Sequence, residues 1–280
     1  SVVERSSENP FNGLNLSGDV ASTIELKQVL DNIEKAKLDN NIKVIYINTS
    51  YVSAGISQIE EIRNKLLEFK QTGKPIIAYS EVYNQAAYYL SSVANKVYLN
   101  PEGIVELKGL SAGIMFYKGL LEKLDIDVQI IRHGKFKSAV EPFMLDKMSD
   151  ANREQMQLLL NSFADNLFDS IASQRGMTLS DIHNHANNLS LENAKSCLDL
   201  HYVDALLYQD QVDDSLLVIS KSEQLNFISL NKYSNVEVAK KEISRNKIAI
   251  IYATGEINSG KGDEKSCLLY TSDAADDSLR

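Results

Sequence analysis

Apolar and polar positions alternate along this chain in two distinct rhythms. Leu26, Val29, Leu30 and Ile33 recur at helical spacing and predict a helix over Ser22–Ala36, with Ser22 and Glu25 at capping-box separation. Lys43–Asn48 (KVIYIN) is a short β-branched and aromatic run, which predicts a buried strand. Ser53-Ala54-Gly55 reads as a turn. Ile59, Ile62, Leu66 and Phe69 then predict a second helix over Ser57–Gln71, stopped at Gly73. Ile76–Ser80 predicts a strand, Asn84–Asn95 a small-residue helix, and Lys96–Asn100 a strand ended by Pro101. The order αβαβαβ predicts a parallel sheet with right-handed crossovers.

The second half is more helical. Tyr117–Leu124 predicts a helix and Val128–Arg132 (VQIIR) a strand, followed by a loop holding Gly134, Lys135 and Lys137. Ser149 is placed to cap a long helix striped by Met156, Leu159, Leu160, Phe163, Leu167 and Ile171, with Gly176 at its end. Two short helices follow, near Ser180–Asn188 and Ser190–Leu198, and Val203-Asp204-Ala205 closes the unit. Residues 209–246 are more polar and read as a connection, with a short strand at Leu225–Leu230. Lys247–Ala253 (KIAIIYA) reads as the first strand of a new unit. From Cys267 the pattern lapses. CLLYTSDAADD is what one frame of a common transposase-type sequencing adapter encodes, so residues 267–280 are assigned as a library scar and barcode. The expected organisation is therefore 1–208, 209–246, 247–266 and 267–280.

Composition narrows the function classes. The 280 residues are 44 % hydrophobic and 24 % charged, with a formal net charge of −9. Such an acidic chain argues against a nucleic-acid partner, which calls for clustered Lys and Arg. The apolar run Ile248–Ala253 is far too short to cross a bilayer. Cys197 and Cys267 make no disulfide framework, and no Cys/His spacing suggests a metal. Without residues 267–280 the chain stays acidic and keeps one cysteine. No cofactor is expected.

Three stretches carry chemistry. They are Tyr79–Leu90 (YSEVYNQAAYYL) with Ala94–Leu99, Phe116–Leu121 (FYKGLL), and Gly134–Phe143 (GKFKSAVEPF) followed by Met148-Ser149-Asp150. Together they resemble the long-form signal peptide peptidase A (protease IV) family over Ser1 to about Gly262. The FKSAVEPF run is the specific part. The resemblance implies a ClpP/crotonase-like α/β fold, a parallel sheet with flanking helices, this being the first of two tandem copies. It implies a serine endopeptidase that uses a Ser–Lys dyad to degrade cleaved signal peptides. The matching lysine is Lys137, and the serine belongs to the second copy, beyond Gly262. The chain alone is then expected to be inactive. Signal peptides and other membrane-associated peptides, the missing C-terminal copy and a homo-oligomer are the implied partners. The implied location is the periplasmic face of a bacterial membrane, through an upstream anchor.

The chemistry asks much of a lysine. A serine hydroxyl needs a base to take its proton, and an amine is a base only when neutral. Its ordinary pKa of about 10.4 must fall, and desolvation is the usual means. Phe136, Ala139, Val140 and Phe143 are the neighbours able to cover Lys137. Glu141 cannot activate it, because a nearby carboxylate favours the ammonium; a structural turn with Pro142 is expected there. Where the active copy has a Ser-Gly-Gly-Tyr turn, this chain reads Gln85-Ala86-Ala87-Tyr88, which holds no nucleophilic oxygen. Ser80, Ser91 and Ser92 read as packing or capping residues, and Ser53-Ala54-Gly55 as a relic of a glycine pair. His183 and His185 point apart, and Cys197 is expected to be buried. Tyr79, Tyr83, Tyr88 and Tyr89, with the long helix, are candidates for oligomer contacts. Two other readings remain open on the residues: a crotonase-fold acyl-CoA enzyme, and a non-catalytic scaffold copy.

Overall fold

The computed structural model describes residues 2–3, 24–134, 136–238, 256–258 and 267–270. The chain divides into two compact units, Ser1–Val238 and Ala239–Arg280. In the first, β1 (Val2–Val3) pairs parallel with β2 (Ile24–Glu25). Helix α1 (Leu26–Leu38) follows directly, with Glu25 at its N-cap and no side-chain cap; Ser22 lies outside the described residues. Then come β3 (Ile45–Asn48), α2 (Ile56–Lys70), β4 (Ile76–Tyr83), α3 (Gln85–Ser91) and β5 (Lys96–Val105). The alternation is as predicted, and the sheet β3-β4-β5-β6, with β6 at Ala205–Leu206, is parallel throughout.

The period of two along β4 explains the layers. Ile76 and Ala78 face one core with α1, α2, α3 and the helices after residue 150. Ile77 and Tyr79, with Tyr98 of β5, face a second core against α9 (Gln209–Ser220), through Val212 and Leu216. Helices on both faces are what a parallel sheet requires. Residues 209–220 are thus a packed helix, and Leu225–Leu230 forms no strand: Leu225 packs on the second core, whereas Phe227 and Ile228 are exposed. Helix α10 (Leu230–Ser234) packs on α1, where Asn32 Nδ2 donates to Leu230 O at 3.1 Å and Tyr233 OH donates to Asp39 Oδ2 at 3.0 Å.

Pro101 does not end β5. The strand passes it and re-pairs at Ile104 with Val82, across an irregularity between Ser80 and Val82 on β4. A proline is tolerated there because a bulge spares its missing donor. Gly103 makes the detour possible: a Cβ there would lie 2.3 Å from Glu81 O and 2.9 Å from Asn100 O. Tyr79, Tyr83, Tyr88 and Tyr89 are all buried, so they are core and cannot serve contacts with another copy. Their hydroxyls explain how: Tyr83 OH donates to Tyr98 O and Tyr88 OH to Tyr202 O.

Helix α4 (Lys118–Lys123) is followed by Val128–Arg132 without a strand, and Ile131 is fully exposed. Local propensity cannot make a strand where nothing among the described residues pairs with it. Helix α6 (Asp150–Arg175) has the predicted Ser149 cap and ends at Gly176. Its apolar stripe packs only in the second half: Leu167, Phe168 and Ile171 are buried, whereas Leu159 and Phe163 are exposed. Helices α7 (Leu179–Asn187) and α8 (Ala194–Asp199) complete this layer. Lys247–Ala253 lies outside the described residues. In the second unit β7 (Glu256–Asn258) pairs parallel with β8 (Cys267–Tyr270), so the apolar start of the tail, expected to lack a partner element, has one.

Candidate active site

Lys137 sits where a tight turn begins. It is the N-cap of the 3-10 turn Ser138–Val140, which runs into α5 (Glu141–Met144). Gly134 precedes the turn with φ +102°, a conformation that a side chain would strain. Lys137 is exposed, as are Phe136 and Ala139. The neighbours expected to cover it do not: Phe143 is 44 % exposed and instead stacks on Tyr117, ring centroids 5.8 Å apart. Pro142 O also accepts from Tyr117 N at 2.6 Å. The loop is therefore fastened to the start of α4.

Glu141 is the buried ionic centre of this region, at 1 % exposure. Its carboxylate accepts from Ser149 N (3.2 Å), Ser149 Oγ (2.5 Å) and Asn152 Nδ2 (2.9 Å), and Arg132 Nη1 lies 3.8 Å away. Burial pushes its pKa up, but the hydrogen bonds from Ser149 and Asn152, with the Arg132 charge, outweigh this and hold the carboxyl below the ordinary range. Its position at the first turn of α6 adds a favourable dipole. The turn expected at Glu141-Pro142 is present as the single turn of α5. The burial of Glu141 has no local signal, because its donors lie at the start of the next helix.

The other predicted locus is at the carboxyl ends of β3 and β4, where parallel sheets place their sites. Asn84 caps α3 by accepting from Ala87 N at 2.7 Å. Gln85 is occupied structurally: its Oε1 accepts from Lys108 N at 2.9 Å. Ser80 Oγ donates to Val82 O at 2.6 Å and contacts Ser50 Oγ at 2.8 Å. Ser80, Ser91 and Ser92 are all buried, in keeping with packing roles. Gly55 is the N-cap of α2, its N–H bonded to Gln58 Oε1. His183 bonds Asp165 at 2.8 Å and His185 bonds Tyr202 OH at 3.1 Å, so the two rings do point apart. Cys197 is fully buried, and burial raises its thiol pKa. Among the described residues no group of His, Cys, Asp or Glu is arranged to hold a metal ion, and no helix is long and apolar enough to cross a membrane.

A parallel sheet between helix layers is the architecture of a ClpP/crotonase-like α/β domain. The profile of peptidase family S49 matches residues 68–221, and the chain belongs to that family. It is 32 % identical over 256 residues to "Protease 4" of Salmonella typhi, covering 88 % of this chain and 41 % of that protein. It is 31 % identical over 246 residues to "Serine protease SPPA, chloroplastic" of Arabidopsis thaliana, covering 86 % of this chain and 36 % of that protein. A "Protease 4" of Haemophilus influenzae is 35 % identical over 164 residues, 58 % of this chain and 27 % of that protein. The chain thus spans less than half the length of each of these relatives.

Proposed function

We propose that this chain is the lysine-bearing copy of a membrane-anchored serine endopeptidase that degrades cleaved signal peptides. Lys137 acts as general base toward a serine carried by a second, C-terminal copy. The observation that carries the reading is that the family match over residues 68–221 spans both the FKSAVEPF loop and an α3 start that has Gln85 where a nucleophile would stand. The names of the relatives, two of them "Protease 4" and one a serine protease, support the reaction class.

In the proposed mechanism the neutral amine of Lys137 accepts the proton of the serine hydroxyl as its oxygen attacks the scissile carbonyl. The resulting ammonium then donates a proton to the leaving amine. Lys137 is exposed in this chain, and a general-base amine works where water is kept from it, so the mechanism needs a cover. The reading assigns that cover to the serine-bearing copy, to bound peptide and to neighbouring copies in a homo-oligomer. The work is placed on the periplasmic face, with an anchor upstream. Residues 267–280 are proposed to be a library scar, outside the domain.

Two measurements test this. The 280-residue chain should not hydrolyse a fluorogenic peptide. In a protein that also carries the serine-bearing copy, Lys137→Ala should lower kcat by at least about a hundredfold, with the unfolding midpoint unchanged. Activity retained in that variant removes Lys137 from the mechanism.

A further inference from the structure

A lysine base on a loop needs a fixed direction, and this loop has few residues of its own in the core. Of residues 131–144, only Glu141 is classed as buried among those described. Its N–H, its carbonyl and its carboxylate are all engaged. Its backbone N–H donates to Ser138 O, which closes the turn that starts at Lys137. Its carbonyl accepts from Leu145 N at 2.9 Å, which closes α5. Its carboxylate grips the N-terminus of α6 through Ser149 and Asn152. Arg132, on the opposite stem of the loop, faces the same carboxylate at 3.8 Å.

We infer that Glu141 is the positioning residue for Lys137: its buried carboxylate clamps both stems of the 132–141 loop to the start of α6 and so fixes where the amine points. This rests on the reading of Lys137 as the base. The carboxylate is met by an N–H, an O–H, an amide N–H and a guanidinium, so its lone pairs are committed to the clamp. Ser149 serves twice, as cap of α6 through its Oγ and as donor to Glu141.

The test joins amide hydrogen exchange on the 280-residue chain with kinetics on a protein that also carries the serine-bearing copy. In Glu141→Ala, exchange over residues 133–144 should quicken at least about tenfold, with residues 165–175 unchanged. In the same variant kcat should fall about ten- to a hundredfold at constant folded fraction, with KM within about twofold, since misplacement of a catalytic group acts on the chemical step. The double variant Ser149→Ala/Asn152→Ala keeps the carboxylate and removes two of its donors. It should reproduce both effects, and it decides the matter if Glu141→Ala does not fold. Unchanged exchange overturns the proposal. Faster exchange with an unchanged kcat also overturns it, because the clamp is then structural alone. If Lys137→Ala stays active while Glu141→Ala loosens the loop, it is the base assignment that has failed, and the clamp has no catalytic object.

Discussion

Arg63 joins three segments that are far apart in the chain. Its guanidinium donates to Tyr89 O at the end of α3, to Ser92 Oγ at 2.7 Å and to Ser170 O of α6 at 3.3 Å, and it lies over the Tyr89 ring at 4.1 Å. It is 3 % exposed, and burial pushes its pKa down to about 10, which still leaves it charged at neutral pH. Replacing it by Ala removes three hydrogen bonds and a ring contact and opens a gap between α2, α3 and α6. The expected loss is about 2–3 kcal/mol, read as a lower urea midpoint with an unchanged slope. Nothing local marks Arg63 as buried. The helical period shows Ile62 and Leu66 as core positions, but the carbonyls that make a charge tolerable beside them come from Tyr89 and Ser170. Glu141 hides its role in the same way, since its donors lie in α6. The loop that carries Lys137, by contrast, is legible from the run that surrounds it.

At the scale of elements, α1 and α2 are joined by ion pairs at their exposed seam. Glu34 meets Lys65 at 2.7 Å and Lys37 at 3.0 Å, and both lysines reach Glu68. Hydrogen bonds from Lys65 and then Lys37 pull the Glu34 pKa down to about 2. A carboxylate whose pKa is lower in the folded than in the unfolded state stabilises above the unfolded value, and that gain disappears as pH falls through the folded one. Glu34→Gln should therefore lower Tm at pH 6, with the difference from the parent shrinking between pH 5 and pH 2. The seam is partly exposed, so added salt should also reduce the difference. Elements whose pattern and partners agree were readable: α1, β3, α2, β4 and α3 follow their periods. Val128–Arg132 has a strand's composition but pairs with nothing among the described residues. Pro101 has a breaker's identity but sits in a bulge that Gly103 accommodates.

For the molecule as a whole, the deciding feature is that α9 and α10 belong to the first compact unit. Val212 and Leu216 of α9 cover Ile77, Tyr79 and Tyr98, and Tyr233 of α10 closes against α1 with its hydroxyl on Asp39. A chain ending at Val238 keeps both helices and sets the reference midpoint. A chain ending at Tyr208 exposes one whole face of the sheet. It should unfold at a clearly lower temperature and bind a hydrophobic dye before unfolding. An equal midpoint for the shorter chain would mean that α9 contributes nothing to that core.

The sequence by itself determined the alternation of helices and parallel strands, the cap at Ser149, and the loop that holds Lys137. These follow from backbone sterics, side-chain period and short-range hydrogen bonds, all of which act within a few residues. Tertiary structure decided the rest. It placed polar residues 209–220 on the second face of the sheet, sent four tyrosines into the core and left half of the α6 stripe uncovered. It also turned a glutamate before a proline into a buried clamp. Each of these depends on which distant atoms arrive alongside, and a buried charge or hydroxyl is tolerable only where donors or acceptors from another element meet it.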